Sequence, residues 1–312
     1  MDLLDIFDDD TPEPQPKPDP ALVDSANIAY DFKLDLLDWL VNGKTEPPRA
    51  PGLHCSSLWK TCARVPMLEA KYSKFLTVEQ ITAGQRMTFD TGHTLHHLMQ
   101  NAYLGPFGRL WGKWKCLSCQ KITHEGTMPA ACPVCDTPWR DEKDGIQNIV
   151  YDEMFVSVDD LKYCGHCDGI MLTRSGRKVV FEFKTISKSQ YGSLKAPKHE
   201  HVIQVHAYMY GLGFKDAIVA YWDKGSQCDW SREKDGTWTS TNPHLKVFHV
   251  KWDDDIWAGV VKRIQDYHRA EERVKTLPTV EIENINEFHR VCSHKKCNLA
   301  SGCHVRDLCF AI

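Results

Sequence analysis

The distribution of apolar residues predicts that the chain begins with helices. Residues 29–43 have an amphipathic pattern that ends near Gly43, and a second helix is expected over residues 54–64. Thr77-Val78-Glu79-Gln80 fits a capping box, in which side chains satisfy the free backbone N–H groups at a helix start. A long helix is therefore expected from there to about Leu104, so the N-terminal third is predicted to be largely helical.

The middle of the chain has the short apolar runs and β-branched residues that are typical of strands. Strands are expected over residues 149–158, 163–172, 179–183 and 217–222, and helices over residues 194–213 and 253–275. The order helix, β-meander, helix, strand, helix predicts a mixed α/β (α+β) fold, with a mixed central sheet flanked by helices. Residues 109–145 break this pattern and are predicted to be an insertion.

The composition predicts a soluble, intracellular protein. Of the 312 residues, 42% are hydrophobic, which is enough for a substantial core. No apolar run approaches the roughly 20 residues that a membrane span requires, so no membrane association is expected. The N-terminus is acidic, which argues against a secretory signal.

The net charge of −4 originates in the N-terminal tail. Residues 1–20 contain seven acidic residues and one lysine, so the rest of the chain is slightly basic, which suits a nucleic-acid partner without predicting one. Residues 1–25 are rich in Asp and Pro and are expected to form a disordered acidic tail. Its apolar positions are either a linear motif for a partner protein or part of a solubilising tail: Leu3, Leu4, Ile6 and Phe7.

The thirteen cysteines fall in clusters whose spacing favours metal binding over disulfides in an intracellular chain. The pairs Cys116-x2-Cys119 and Cys132-x2-Cys135 have the spacing of a four-thiolate zinc site and predict a zinc ribbon. Half of such a site recurs at Cys164-x2-Cys167, but no second half is nearby and both residues lie on a predicted strand. Four more thiols lie within eighteen positions near the C-terminus: Cys292, Cys297, Cys303 and Cys309.

The predicted strand over residues 179–183 and the residues around it carry the strongest candidate chemistry. Glu182 and Lys184 interrupt an apolar run, and because side chains alternate along a strand, both project from the same face. Asp168 lies fourteen residues before Glu182, a separation that suits a hairpin with its turn at residues 173–177. The two carboxylates then offer ligands for a divalent cation, and the lysine can orient a water nucleophile. The alternative is a half-buried hairpin with an ion pair on its face.

Two predicted helices add polar residues that share a face. Helical spacing groups His93, His96, His97 and Gln100, and it groups His201, Gln204 and Tyr208. Three histidines on one face indicate at least one contact to a metal ion or a phosphate. Combined with the two carboxylates, such oxygen-rich ligation favours Mg²⁺ or Mn²⁺.

The sequence resembles the RecB-like branch of the PD-(D/E)xK nuclease superfamily over roughly residues 54–104 and 146–312. The resemblance rests on five motifs in family order: Ser57-Leu58-x3-Cys62-Ala63-Arg64, Gly92-x3-His96, Gly165-x2-Asp168, Glu182-x-Lys184 and Gln204-x3-Tyr208. It implies a restriction-endonuclease-like fold with a cation held by His96, Asp168, Glu182 and the backbone carbonyl of Phe183. The implied catalytic residues are Asp168, Glu182, Lys184, Gln204 and Tyr208.

The C-terminal cysteines are similar to those of the iron–sulfur members of this family, which include the CRISPR-associated RecB-like exonucleases. In those members one N-terminal cysteine joins three C-terminal ones around a 4Fe-4S cluster, which closes a large loop. The resemblance implies the ligands Cys62, Cys292, Cys303 and Cys309, with Cys297 as the alternative to Cys292. A second zinc site that includes His294 or His304 is the competing interpretation.

The resemblance implies a metal-dependent DNA exonuclease that acts on single strands or ends in replication, recombination or repair. It implies a phage or mobile-element origin, a cytoplasmic location and a replication or recombination protein as partner of the tail. A non-catalytic scaffold and an endonuclease remain alternatives, and no Gly-x4-Gly-Lys-Ser/Thr loop predicts ATP hydrolysis. The expected parts are residues 1–25 (tail), 26–108 (helical), 109–145 (zinc ribbon), 146–275 (nuclease core) and 276–312 (cysteine region).

Overall fold

The structure is a computed structural model that describes residues 30–43, 52–76, 81–123, 126–143, 145–226 and 228–312. The chain divides into two units, one of Met1–Pro48 with Glu79–Phe89 and one of Arg49–Val78 with Asp90–Ile312. Of the first unit, residues 30–38 are α-helical and Trp39–Gly43 form a π turn, which confirms the first predicted helix over its described part. The predicted tail and the capping box at residues 77–80 lie outside the described residues.

The second unit contains a seven-stranded mixed sheet, a three-stranded sheet and a two-stranded hairpin. The strands are β1 Leu53–His54, β2 Leu110–Cys116, β3 Gly126–Thr127, β4 Ile149–Asp152, β5 Met154–Val158, β6 Tyr163–Cys167, β7 Gly169–Leu172, β8 Lys178–Ile186, β9 Asp216–Asp223, β10 Cys228–Arg232, β11 Trp238–Pro243 and β12 Leu245–Lys251. The large sheet has the order β12-β9-β8-β7-β2-β3, with β4 also paired to β2. Only β8 and β9 run parallel in it, and the small sheet has the order β1-β6-β5.

Helices surround these sheets. They are α1 Arg64–Tyr72, α2 Ala83–Leu98, α3 Lys188–Ser193, α4 His199–Leu212, α5 Asp254–Thr276, α6 Ile282–Asn286, α7 Asn298–Ser301 and α8 Arg306–Ala311. A π turn, Met99–Leu104, extends α2 and ends where the sequence predicts. The predicted mixed α/β fold with a central mixed sheet flanked by helices is therefore confirmed. Among the described residues no helix has the length and apolar character needed to cross a membrane.

Two predicted helices have different bounds in the structure. In place of a helix over residues 54–64, Cys55–Lys60 form a 3₁₀ turn because Leu53–His54 pair with β6 and the Ser57 hydroxyl donates to the His54 carbonyl. The helix expected over residues 194–213 begins only at His199. Pro197 precedes it, and proline disfavours helical geometry in the residue before it.

Two predicted strands are each divided between the two sheets. The strand expected over residues 149–158 breaks at Glu153, so that β4 joins the large sheet and β5 the small one. The strand expected over residues 163–172 breaks at Asp168, so that β6 joins the small sheet and β7 the large one. Polar residues thus occupy both points where the chain passes from one sheet to the other.

Strand β8 is buried on both faces, which makes it the centre of the fold. On one face Val180 and Ile186 belong to the main core, which also contains Ile203 of α4 and Ile264 of α5. On the other face Phe183 belongs to a smaller cluster that also contains Met99 of the π turn. Because side chains alternate, Glu182 and Lys184 lie on the face that packs toward α4.

Candidate active site and metal centres

Asp168 lies at the junction of β6 and β7, directly beside β8. The predicted hairpin is present, since Gly169 of β7 pairs with Phe181 of β8. The buried Asp168 carboxylate accepts a hydrogen bond from the backbone N–H of Phe183 through Oδ2, at 2.8 Å, and contacts His96 through Oδ1. Both oxygens are therefore held, one by the sheet and one by a histidine of α2.

Glu182 is buried in the sheet beside Lys184. Its side chain is 1% exposed, and Oε1 forms an ion pair of 2.5 Å with Lys184 Nζ, as same-face projection predicts. The second oxygen, Oε2, is buried with no hydrogen-bond partner among the residues that the structure describes. A buried carboxylate oxygen without a partner is costly, because it has lost water and gained no donor or cation in exchange.

His96 reaches the site because α2 passes close to β8. A Cβ atom on Gly92 would lie 3.7 Å from the Thr185 hydroxyl, at ordinary van der Waals distance, which shows how near the helix is to the strand here. His96 Nδ1 is 3.3 Å from Asp168 Oδ1, and its ring packs edge-on against Phe183 with centroids 5.1 Å apart. The other two histidines of this face, His93 and His97, are exposed. Of the three, the structure thus brings only His96 to the carboxylates.

The charges of this group are strongly coupled. Burial, followed by the charge of Asp168, raises the pKa of Glu182 to about 7 against the opposing effect of Lys184. Burial works to raise the pKa of Asp168 as well, but His96, Lys184 and the Phe183 N–H outweigh it and lower that pKa. Burial opposes the charge on Lys184, yet the two carboxylates raise the pKa of Lys184. The pKa of His96 is likewise raised, because Asp168 outweighs burial.

These residues fit a divalent cation with one adjustment. The His96 and Asp168 ligand atoms are in contact, but His96, Asp168 and Glu182 do not form a group in which all ligand atoms lie within 4.8 Å among the described residues. The carboxylate of Glu182 is instead directed at Lys184. A cation shared by all three therefore requires these ligand atoms to come closer together, and the unpartnered Oε2 is the atom of Glu182 available to it.

Gln204 and Tyr208 of α4 hold the strand that leads to Asp168. Gln204 Nε2 donates to the Tyr208 hydroxyl at 3.2 Å, and that hydroxyl donates to the His166 carbonyl of β6 at 2.5 Å. Both side chains are buried. Tyr208 contacts β6 two residues before Asp168 and Gln204 contacts Tyr208, so their geometry is that of positioning residues.

The structure adds a histidine and a tyrosine beside Lys184 that the sequence analysis left without a role. Tyr221 of β9 is the register partner of Lys184, and its hydroxyl lies 2.7 Å from His201 Nδ1. Burial, followed by the charges of Lys184 and Lys198, lowers the pKa of His201 to about 3, so this imidazole is neutral. The shared helical face with Gln204 was the available signal for His201, but only the strand register identifies Tyr221.

A second pair of residues that sequence reasoning missed adjoins Asp168. Gln100 and Glu153 are hydrogen-bonded to each other, and Gln100 also bonds to the Asp168 carbonyl. Gln100 shares the helical face of His96, which was its only signal. Glu153 lies within the strand predicted over residues 149–158, and no sequence pattern marked it as a functional residue.

The four cysteines at positions 116, 119, 132 and 135 form a group that could hold a metal ion. The Sγ atoms of Cys116 and Cys135 are 3.7 Å apart, as are those of Cys119 and Cys132, and all four lie within 4.8 Å of one another. Tetrahedral zinc with Zn–S bonds of about 2.3 Å separates its sulfurs by about 3.8 Å. A four-cysteine group that can bind a metal ion is therefore present where the sequence predicts it.

The C-terminal cysteines have a different arrangement. A cavity of about 290 Å³ is lined by Cys62, Cys292, Cys303 and Cys309, but not by Cys297. Within the described part of the chain these thiols, together with His294 and His304, contain no three ligand atoms within 4.8 Å of one another. His304 instead contacts Glu69 at 2.7 Å. The cavity therefore brings Cys62 and three C-terminal thiols to one region of the structure, without the close grouping of the cysteines at positions 116–135.

Comparison with known proteins gives fold-level similarity only. No family model and no curated protein matches the chain. Solved structures that are similar to it include SSO0001, with 14% identity over 77% of this chain and 86% of that one at a TM-score of 0.38. An alkaline exonuclease from Laribacter hongkongensis has 12% identity over 72% and 90% of the two chains, with a TM-score of 0.35.

A phage-related exonuclease from Haemophilus somnus 129PT is similar at the same level, with 11% identity over 73% of this chain and 96% of that chain, and a TM-score of 0.32. The Laribacter enzyme has also been solved in complex with dAMP. At these identities and TM-scores, assignment of an activity to this chain depends on its own side chains.

Proposed function

We propose that this protein is a metal-dependent DNA nuclease that hydrolyses phosphodiesters with Mg²⁺ or Mn²⁺. The observation that carries the proposal is the buried group of His96, Asp168, Glu182 and Lys184, in which one carboxylate oxygen has no partner. A purely structural ion pair does not need a second buried carboxylate or a histidine beside it. Lys184 pairs with one oxygen of Glu182, and the buried second oxygen is the atom that a bound cation would satisfy.

Each residue has a role that follows from its contacts. His96, Asp168, Glu182 and the Phe183 carbonyl would hold the cation, which when bound supplies Lewis acidity and charge neutralisation. The Phe183 N–H fixes one oxygen of Asp168, so that the other faces His96. The raised pKa of Lys184 keeps its ammonium protonated, so it can orient the attacking water or stabilise negative charge on the phosphate.

The test is a nuclease assay with Mn²⁺ on end-labelled single-stranded DNA. We expect cleavage by the unaltered protein, loss of at least about a hundredfold in Asp168→Ala, and unchanged cleavage in Asp159→Ala, which removes an exposed carboxylate. Equal cleavage by the unaltered and Asp168→Ala proteins would reject the catalytic assignment. DNA binding without cleavage by the unaltered protein would favour the alternative of a non-catalytic scaffold.

We further propose that the substrate is single-stranded DNA or a DNA end, attacked as an exonuclease does. A closed circular single strand distinguishes this from endonucleolytic cleavage, because an exonuclease needs a free end. The expected result is an intact circle and a degraded linear strand of the same sequence. A linearised circle would assign the protein as an endonuclease.

Two further metal centres belong to the proposal. The four ribbon cysteines would bind zinc, and the cavity thiols of Cys62, Cys292, Cys303 and Cys309 would bind a 4Fe-4S cluster that connects α1 to the C-terminus. Elemental analysis and the absorbance of anaerobically purified protein test both. Cys303→Ser should lose iron, whereas Cys297→Ser, at a position that does not line the cavity, should keep it. If Cys297→Ser lost iron and Cys303→Ser kept it, Cys297 rather than Cys303 would be assigned as a cluster ligand.

The phage origin, the cytoplasmic location and the tail partner are proposals of the same kind. The origin rests on the sequence resemblance alone, and the tail partner on the apolar residues within the acidic segment, Leu3, Leu4, Ile6 and Phe7. The expected parts of the chain also remain a proposal, although the ribbon cysteines do form one group within residues 109–145.

A further inference from the structure

Glu153 lies opposite Asp168 at the point where both strands leave the small sheet. In the antiparallel pair of β5 and β6, Met154 is opposite Cys167. Continuing this register by one residue sets Glu153 opposite Asp168. Both residues end their strands in the small sheet, and the chain around each then continues in the large sheet.

Gln100 connects these two positions. Its side chain is 5% exposed, and Nε2 donates to Glu153 Oε1 and to the Asp168 carbonyl, each at 2.8 Å. A carboxamide nitrogen has two hydrogens, so both are used. Because both partners are acceptors, the orientation of the carboxamide is determined by the contacts themselves.

The next residue strengthens the same connection. Asn101 is also buried, and its Oδ1 accepts the backbone N–H of Tyr151 in β4 at 2.6 Å. Gln100 and Asn101 are consecutive in the π turn Met99–Leu104, one helical turn after His96. Such turns occur often at functional sites, because the wider backbone re-aims side chains. Two adjacent side chains thus attach the end of the histidine helix to the corner between β4 and β5.

Glu153 itself is a partly buried carboxylate close to the charges of the site. Burial and then Asp168 raise its pKa, while the Gln100 hydrogen bond, His96 and His166 oppose that rise. A surface glutamate placed only for solubility would have neither the burial nor these neighbours. The position therefore has a structural purpose at Asp168.

We infer that Glu153, acting through Gln100, is a positioning residue that fixes the Asp168 backbone and so sets the geometry in which Asp168 and His96 bind the divalent cation. The inference rests on the proposed function, because it concerns the same site. Glu153 orients the Gln100 carboxamide, and the carboxamide holds the peptide that follows Asp168. Residues that orient metal ligands in this way typically contribute tenfold to a hundredfold to metal affinity.

The test compares Glu153→Ala with Glu153→Gln in the full chain. Glu153→Ala removes the acceptor for Gln100, and we expect the dissociation constant for Mn²⁺, measured by calorimetry, to rise about tenfold. Glu153→Gln keeps an oxygen acceptor of the same length and should stay within about threefold of the unaltered protein. Asp159→Ala, at the far end of β5, is the matched control and should not change Mn²⁺ affinity.

A second variant distinguishes the loss of this connection from misfolding of the protein. Gln100→Leu should weaken Mn²⁺ binding by a similar factor, and the double variant Gln100→Leu/Glu153→Ala should be no weaker than either single variant, because both changes remove one connection. Thermal unfolding of each variant verifies that it is folded. Additive losses, or a failure of Glu153→Gln to restore binding, would overturn the positioning role.

The results also separate this inference from the proposed function. If the unaltered protein binds Mn²⁺ and cleaves DNA while Glu153→Ala does both equally well, only the positioning role is wrong. If the unaltered protein and Asp168→Ala have the same Mn²⁺ affinity and neither cleaves, the proposed function is wrong.

Discussion

The affinity of the site for Mn²⁺ should depend steeply on pH, because a proton and the cation compete for Glu182. Burial and Asp168 raise the pKa of Glu182 to about 7 in the metal-free protein. Only the ionised carboxylate binds a cation, so the apparent affinity follows the ionised fraction. That fraction falls from about 0.9 at pH 8 to about 0.1 at pH 6, which corresponds to a tenfold loss of affinity, or about 1.4 kcal/mol.

Protonation of His96 should also weaken Mn²⁺ binding as the pH falls, and Asp168 should add no opposing dependence on pH. The pKa of His96 is raised by Asp168, so a proton on this imidazole also competes with the cation. The pKa of Asp168 is lowered, so this carboxylate stays ionised throughout that range. Affinity should therefore rise with pH, and the tenfold change is a lower bound.

Calorimetric titration of Mn²⁺ into zinc-loaded protein across this pH range measures the effect. Buffers with different ionisation enthalpies should reveal the release of about one proton per cation near neutral pH. Glu142→Gln, which removes an exposed carboxylate, should leave the dependence of Mn²⁺ affinity on pH unchanged. Glu182→Gln should remove the part of that dependence that comes from protonation of Glu182. An affinity that is constant between pH 6 and pH 8 would refute the reasoning that the buried carboxylate is a cation ligand.

Three further outcomes are expected. Cys116→Ser should reduce the zinc content by about one ion per chain, measured by elemental analysis, because a tetrahedral site needs all four thiolates; retained zinc would reject the site. Gly165→Ala should destabilise the fold by about 1–3 kcal/mol in denaturant unfolding, because the new Cβ would lie 2.9 Å from Cys55 Sγ, whereas Gly192→Ala, with open space around it, should not. Tyr208→Phe should cost about 1–2 kcal/mol and lower cleavage, because it removes the hydroxyl that holds β6; equal stability would contradict that role.

Strand β8 was predictable because the residues that define it are consecutive in the sequence. An apolar run interrupted at alternate positions by Glu182 and Lys184 indicates a buried strand with two polar groups on one face, and the structure has that arrangement. The four-cysteine group was predictable for a similar reason, because thiol spacing restricts how two Cys-x2-Cys pairs can come together.

Other features could not be read from local patterns. The breaks at Glu153 and Asp168 arise because each strand pairs with one sheet before the break and with another after it. The hairpin of β10 and β11 was likewise not predicted. The prediction of a helix over residues 54–64 was wrong, because pairing of Leu53–His54 with β6 outweighed a local helical preference.

By itself the sequence determined the fold class, the face shared by Glu182 and Lys184, and the four-cysteine group, since each depends on residues close together in the chain. Only the tertiary structure decided that His96 contacts Oδ1 of Asp168, that Glu182 keeps an oxygen without a partner among the described residues, and that Gln100 connects Glu153 to Asp168. The physical reason is that these contacts join segments more than fifty residues apart or depend on strand register, and a register can be known only when the partner strand is in place.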